Sequence, residues 1–149
     1  MCGIAGVLNL REAAPPALET GQAMLAMIRH RGPDGFGIYR DPDVLLGNAR
    51  LSIVDLAGGD QPISNEDGSI WIVFNGEIFN HVELRPDLEA RGHRFTTHCD
   101  TEAVVHLYEE YGPDCLQHLN GQFAIAIWDL RKKTLFLARD RMGVKPMHY

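Results

Sequence analysis

Four short stretches of the 149-residue chain carry side chains that could do chemistry. The first is Cys2. A small second residue normally permits removal of Met1, which would leave cysteine as the first residue. Its free α-amine, with a reference pKa near 8, would then sit beside a thiol of about 8.5. Such an amine can take the thiol proton and later return it to a leaving group, so one residue supplies both nucleophile and base. The second stretch is Asn75-Gly76-Glu77, directly after the apolar run Ile70 to Phe74. An asparagine amide and a glycine N–H at a strand end can offer two donors to a developing oxyanion. Arg50, between the apolar runs Val44 to Leu46 and Leu51 to Val54, could fork onto a ligand carboxylate with two hydrogen bonds. Asp100 could accept a ligand ammonium, cap the helix that follows it, or do both. Taken singly, each has a plainer reading: a small residue at a frayed terminus, a hairpin turn at Asn-Gly, a surface arginine, a helix cap.

These residues need a scaffold, and the hydrophobic pattern outlines one. Apolar runs between turn residues predict strands at Ile4 to Leu8, Val44 to Leu46, Leu51 to Val54, Ile70 to Phe74, Phe95 to Thr97, Phe123 to Trp128 and Leu135 to Ala138. The run Phe123 to Trp128 is apolar on both faces and belongs between packed layers. Arg131, Lys132 and Lys133 make a charged loop joining the last two strands into a hairpin. Glu12 to Pro16 reads as a loop. Helices are expected from Ala17 to Arg31, from Val82 to Arg91 with Gly92 as its left-handed stop, and from Thr101 to Tyr111 before Gly112-Pro113. Paired strands with grouped helices indicate an α+β fold rather than a doubly wound parallel sheet.

Composition bounds the function. The chain is 45% hydrophobic and 23% charged, with a formal net charge of -6, which fits one folded domain. Acidic balance argues against nucleic acid or an anionic membrane as partner. No apolar run reaches the roughly 18 residues of a membrane span, and no leader pattern precedes the first strand. Three cysteines do not make a disulfide framework, so the expectation is a soluble, cytoplasmic protein. Cys99 and Cys115 read as small buried hydrophobes, and Trp71 and Trp128 as core. The seven histidines are scattered; a zinc site from His93, His98 and Cys99 lacks paired ligand spacing, so no metal is expected. No phosphate-binding glycine loop follows a strand.

The motifs occur in a telling order: Met1-Cys2-Gly3-Ile4-Ala5-Gly6, RHRGPDG (29–35), RLSIVD (50–55), GGDQP (58–62), NGEIFN (75–80), CDTE (99–102), NGQFA (120–124) and RDRMGVKP (139–146). This ordered set resembles the class II glutamine amidotransferases, and most of all the glutamine-hydrolysing domain of asparagine synthetases. The resemblance implies a four-layer αββα sandwich of the N-terminal-nucleophile hydrolase type, cut short at the C-terminus. It implies Cys2 as the nucleophile that attacks the side-chain amide of L-glutamine, and Asn75 and Gly76 as the oxyanion hole. It further implies Arg50 on the α-carboxylate, Asp100 on the α-ammonium, and Glu77 with Leu51, Ser52, Ile53 and Val54 as the rest of the pocket wall. Residues 1–149 would then be an incomplete glutaminase domain. A C-terminal synthetase domain, with its ATP and Mg, would use the ammonia to amidate aspartate; no cofactor is implied for this chain. The alternatives are another carboxylate acceptor such as a cell-surface sugar acid, or a catalytically silent domain that binds glutamine or a partner. A homodimer stays open. Asn48-Ala49 departs from the histidine and polar residue commoner in relatives, beside Arg50.

Overall fold

The computed structural model describes residues 2–10, 14–53, 55 and 58–149. Met1, residues 12 and 13 of the expected 12–16 loop, and Val54 therefore lie outside the described residues.

Strand β1 (Gly3–Leu8) leads through α1 (Leu18–Met27) to β2 (Gly35–Arg40) and β3 (Val44–Arg50). These strands form an antiparallel sheet in the order β1-β3-β2. Next come β4 (Ile63–Ser64), β5 (Ile70–Ile78), α2 (His81–Ala90), α3 (Asp100–Tyr111), β6 (Gly121–Asp129) and β7 (Thr134–Arg139). The second sheet, also antiparallel, has the order β4-β5-β6-β7.

Period-two alternation assigns the layers. In β3, Val44 and Leu46 face the second sheet, where they meet Val73, Ala126 and Trp128. Gly21 and Gly47 bring α1 close on the opposite face of that sheet: a Cβ at Gly21 would meet the Leu45 side chain at 2.7 Å, and one at Gly47 would meet Leu25 at 3.2 Å. In the second sheet Ile72, Phe74, Ile125 and Ile127 pack against Val104, Leu107 and Tyr108 of α3 and Leu88 of α2. The layers therefore run helix, sheet, sheet, helices, as expected. No helix among the described residues is long and apolar enough to cross a membrane.

Several details differ from the pattern reading. Val44 to Leu46 and Leu51 to Val54 were expected as two strands with Arg50 between; instead β3 runs through Gly47 and Asn48 to Arg50, and residues 51–53 are not strand. Residues 95–97 are not a strand, because Glu102 takes both backbone N–H groups, Thr96 at 2.7 Å and Thr97 at 2.7 Å. Strand β2 was not anticipated. Its Gly37 is forced by the passing chain: a Cβ there would lie 1.8 Å from Gln61 O. Trp128 is buried, its indole N–H donating to Asp41 at 2.6 Å, whereas Trp71 is half-buried and stacks on Tyr39. Gly92 and Gly112 end their helices with positive φ, as expected. Cys99 and Cys115 are buried; burial pushes the Cys115 thiol up to about 12.

Candidate active site

Cys2 stands at the start of edge strand β1, whose register pairs Gly3 with Ala49 near the end of β3. That pairing brings Cys2 to the chain leaving β3: the Leu51 N–H donates to Cys2 Sγ at 3.4 Å, and the thiol lies 3.7 Å from Leu51 O.

The Asn75-Gly76-Glu77 segment lies inside β5, not in a turn after it, since the strand pairs with β6 as far as Ile78. What matters is the other edge of β5. Strand β4 covers only Trp71 and Ile72. Past them, side chains replace the missing neighbour: Gln61 Oε1 accepts the Phe74 N–H at 2.6 Å, and Asp100 Oδ2 accepts the Ile78 N–H at 2.9 Å. Alternate N–H groups of a strand share an edge, so the Gly76 N–H points the same way. Its partner residue Phe123 agrees, directing both its polar backbone groups away from β5, to Asp140. The Gly76 N–H is thus the donor on this edge that faces the cleft. Glycine is required there, because a Cβ would lie 2.1 Å from Gln122 O. Asn75 projects to the sheet–sheet side; it is 4% exposed, and its Oδ1 is a buried acceptor without a partner. Such a buried orphan carries a desolvation cost.

Arg50 is 7% exposed and donates through Nη2 to Asp55 O at 2.6 Å and through Nη1 to Asp60 at 2.5 Å. Asp60 is largely exposed, so a carboxylate already reaches this guanidinium from the solvent side. Asp55 ties the two motif loops together: its carboxylate accepts from His98 N at 2.8 Å and Gly58 N at 3.0 Å. The His98 N–H, more than any other group, holds its carboxyl below the usual range. Asn48 donates to Gln61 Oε1 and to Phe74 O, so it braces the same β5 edge beside Arg50.

Asp100 was expected to cap the helix from Thr101. The helix begins at Asp100 itself, Cys99 occupies the cap position, and the carboxylate turns to β5 instead. Burial pushes this carboxyl up from the ordinary aspartate range, against the opposing Ile78 N–H. Glu102 holds the approach, accepting from Thr96 and Thr97 through backbone and hydroxyl donors at 2.6–2.9 Å.

Cys2, Arg50, Leu51, Ile53, Gly76, Glu77 and Asp100 line one cleft that opens to solvent. Ser52 is drawn aside, its N–H donating to Asp34 at 2.8 Å, and Asn75 sits buried behind Gly76. The cleft also holds Gln61, Thr101, Gln122 and Lys145, to which residue chemistry had assigned no role. The motifs GGDQP, CDTE, NGQFA and RDRMGVKP contained all four. Lys145 is buried and donates to Gln122 Oε1 at 3.2 Å. Its loop is anchored on Asp140, whose carboxylate accepts from the N–H groups of Val144, Lys145 and Phe123. Burial pushes the Asp140 carboxyl up, but these backbone donors, Lys145 first, outweigh it and hold it below the ordinary range. A depressed carboxyl stabilises the fold above its unfolded-state value near 3.9, and that stability is lost as pH falls through the folded value. Asp140→Asn is therefore expected to destabilise the chain by roughly 1.5–3 kcal/mol at neutral pH, with the deficit shrinking in acid. Urea unfolding across pH measures it.

The cleft thus brings together a thiol, an N–H donor fixed in a strand, a guanidinium and a buried carboxylate. The family model described as "Glutamine amidotransferase domain" matches residues 1–149. The chain is 45% identical over its full length to asparagine synthetase [glutamine-hydrolyzing] 1 of Bacillus subtilis, spanning 24% of that protein. It is 44% identical over 99% of its length to a probable asparagine synthetase [glutamine-hydrolyzing] of Dictyostelium discoideum, spanning 27% of it. Among solved structures, the glutamine phosphoribosylpyrophosphate amidotransferase of B. subtilis superimposes with a TM-score of 0.57 at 26% identity. That match covers 72% of this chain and 25% of the other.

Proposed function

The chain belongs to the glutamine amidotransferase domain family, and on that premise we propose that its cleft hydrolyses L-glutamine to glutamate and ammonia. One observation carries the reading: a thiol at the head of β1, the inward Gly76 N–H, Arg50 and Asp100 all meet in one cleft. With Met1 removed, the Cys2 α-amine takes the thiol proton as Sγ attacks the side-chain carbonyl carbon of glutamine. The carbonyl oxygen becomes an oxyanion held by the Gly76 N–H and the Asn75 amide. Gly76 belongs to a paired strand, so its N–H needs no reorganisation as charge develops. The amine then returns its proton to nitrogen, ammonia leaves, and a γ-glutamyl thioester remains for water to cleave.

Arg50 and Asp100 oppose the two charges of a free amino acid. Glutamine within a peptide has neither charge and offers no counter-charge to Arg50 or Asp100, which the site penalises. Glu77, Leu51, Ser52, Ile53 and Val54 complete the pocket in this reading. The ammonia passes to a synthetase domain elsewhere in the longer protein, where ATP and Mg activate aspartate for conversion to asparagine. Residues 1–149 supply the glutaminase part and need no cofactor of their own.

The test is intact mass before and after exposure to 6-diazo-5-oxo-L-norleucine, a glutamine-shaped electrophile. Loss of Met1 and one adduct on Cys2, blocked by excess glutamine, is the expected result. Absence of an adduct from chains that have lost Met1 overturns the assignment.

A further inference from the structure

We propose that the chain binds one divalent metal ion of the zinc class through His93, His106, Glu66 and Glu109, at a site separate from the cleft. The linear sequence hides this set. Glu66 lies in the turn between β4 and β5, His93 follows α2, and His106 and Glu109 stand three residues apart on α3. The fold gathers one ligand atom from each within 4.8 Å of the others. Of the three residues weighed from spacing alone, only His93 belongs to the set.

Four of the separations lie near a tetrahedral edge, in a set whose atoms all fall within 4.8 Å. Zinc bound to nitrogen and oxygen at about 2.0–2.1 Å implies ligand–ligand edges of about 3.3 Å. Here His106 Nδ1 lies 3.0 Å from Glu109 Oε2 and 3.7 Å from Glu66 Oε2. His93 Nδ1 lies 3.4 Å from Glu109 Oε2 and 3.7 Å from Glu66 Oε1.

The surroundings orient these atoms as an outer shell orients metal ligands. The Arg94 N–H holds Glu66 Oε1 at 2.7 Å, and the Asn65 amide holds Glu109 Oε1 at 2.7 Å. His93 Nε2 meets Glu110 Oε1 at 3.0 Å. With the ring proton placed on Nε2 toward Glu110, the Nδ1 lone pair of His93 is directed at the space between the Glu66 and Glu109 carboxylates, where an ion would sit. His106 is 1% exposed and its Nε2 has no partner, so the cluster is its one polar outlet. Ligation through Nδ1 places its ring proton on that orphaned Nε2, a cost far smaller than a structural zinc ion contributes to folding.

Four protein ligands leave no open coordination position, so the ion is structural. It would pin the β4–β5 turn and the segment after α2 to the middle of α3. His106 is six residues from Asp100, roughly 9 Å along the same helix. The ion would therefore steady the element that presents Asp100 to the cleft.

Cobalt(II), then zinc(II), titrated into the full chain tests this, with Cys2→Ser as the background so that an N-terminal thiol cannot chelate. One equivalent of cobalt should saturate, giving visible bands of a four-coordinate ion without thiolate charge transfer. Zinc should displace it and raise Tm. Glu109→Gln and His93→Gln should each weaken binding by more than the roughly 10–100-fold expected for the outer-shell variant Glu110→Gln. Metal-free Tm values of the variants, read alongside, confirm that they fold. Absence of a saturable equivalent, or binding unchanged in folded Glu109→Gln and His93→Gln, overturns the proposal.

Discussion

Cys2→Ala is expected to lower glutamine turnover by at least about 10⁴-fold while glutamine still binds. The size follows from the double role assigned to one residue. Alanine removes the atom that forms the thioester, and the α-amine, though still present, has no thiol proton to take. Binding survives because the groups that would grip glutamine lie on other segments: Arg50 at the end of β3 and Asp100 at the start of α3. Only a weak contact is lost in the fold, the 3.4 Å approach of the Leu51 N–H to sulfur. Ammonia release gives the rate, and calorimetry with glutamine gives the affinity. Turnover within tenfold of the parent would show that another group attacks. Blocking Met1 removal in the unaltered chain should also silence it, since the thiol then remains and the base is lost.

The second large effect is expected at Asp100, where activity and stability move in opposite directions. Burial raises this carboxyl above its ordinary value, so ionising it costs folding free energy. The stability linked to the protonated form is fully present below the unfolded-state value and is lost as pH rises through the folded value. At neutral pH the parent carries that penalty. Asp100→Asn removes it and keeps an oxygen for the Ile78 N–H, so Tm should rise, by roughly 2–4 °C for each kcal/mol relieved. The advantage should vanish as pH falls below the ordinary aspartate value. Recognition should fail, because the ammonium of glutamine loses its counter-charge. A fall in kcat/KM of roughly 10²–10³, mostly in KM, is the scale for breaking a buried charge pair. The parent's KM should improve as pH rises through the Asp100 titration, and the variant should lack that limb. A variant with lower Tm and unchanged KM would mean that Asp100 serves the fold alone.

Much of this arrangement was legible in the residues, and the exceptions have physical causes. The run Phe123 to Trp128 declared a central strand because both of its faces are apolar and both are covered. Gly92 and Gly112 declared helix ends because few other residues accept their positive φ. Strand β3 was ended too early because Gly47 and Asn48 interrupt its apolar run. Their types answer to neighbours distant in sequence: the close approach of Leu25 at Gly47, and the bonds to Gln61 and Phe74 at Asn48. Residues 95–97 looked like a strand because nothing local reveals that Glu102 will claim their N–H groups. In the cleft, residue chemistry singled out Cys2, Arg50, Gly76 and Asp100. Gln61, Gln122 and Lys145 arrive by topology, from a loop, a strand and a turn that share no local pattern. The meeting of His93 with His106 was hidden for the same reason.

The short β4 has a further consequence, in assembly rather than catalysis. Beyond Ile72 the edge of β5 would be an open template for a strand from another chain, the usual seed of edge-to-edge aggregation. Gln61 and Asp100 occupy the Phe74 and Ile78 donors, so an incoming strand would have to evict both before its first ladder bond could form. The edge can therefore keep one donor, at Gly76, directed into the cleft without becoming adhesive along its length. In this chain, a strand end open enough to receive a ligand is kept closed to other strands by the side chains that frame it.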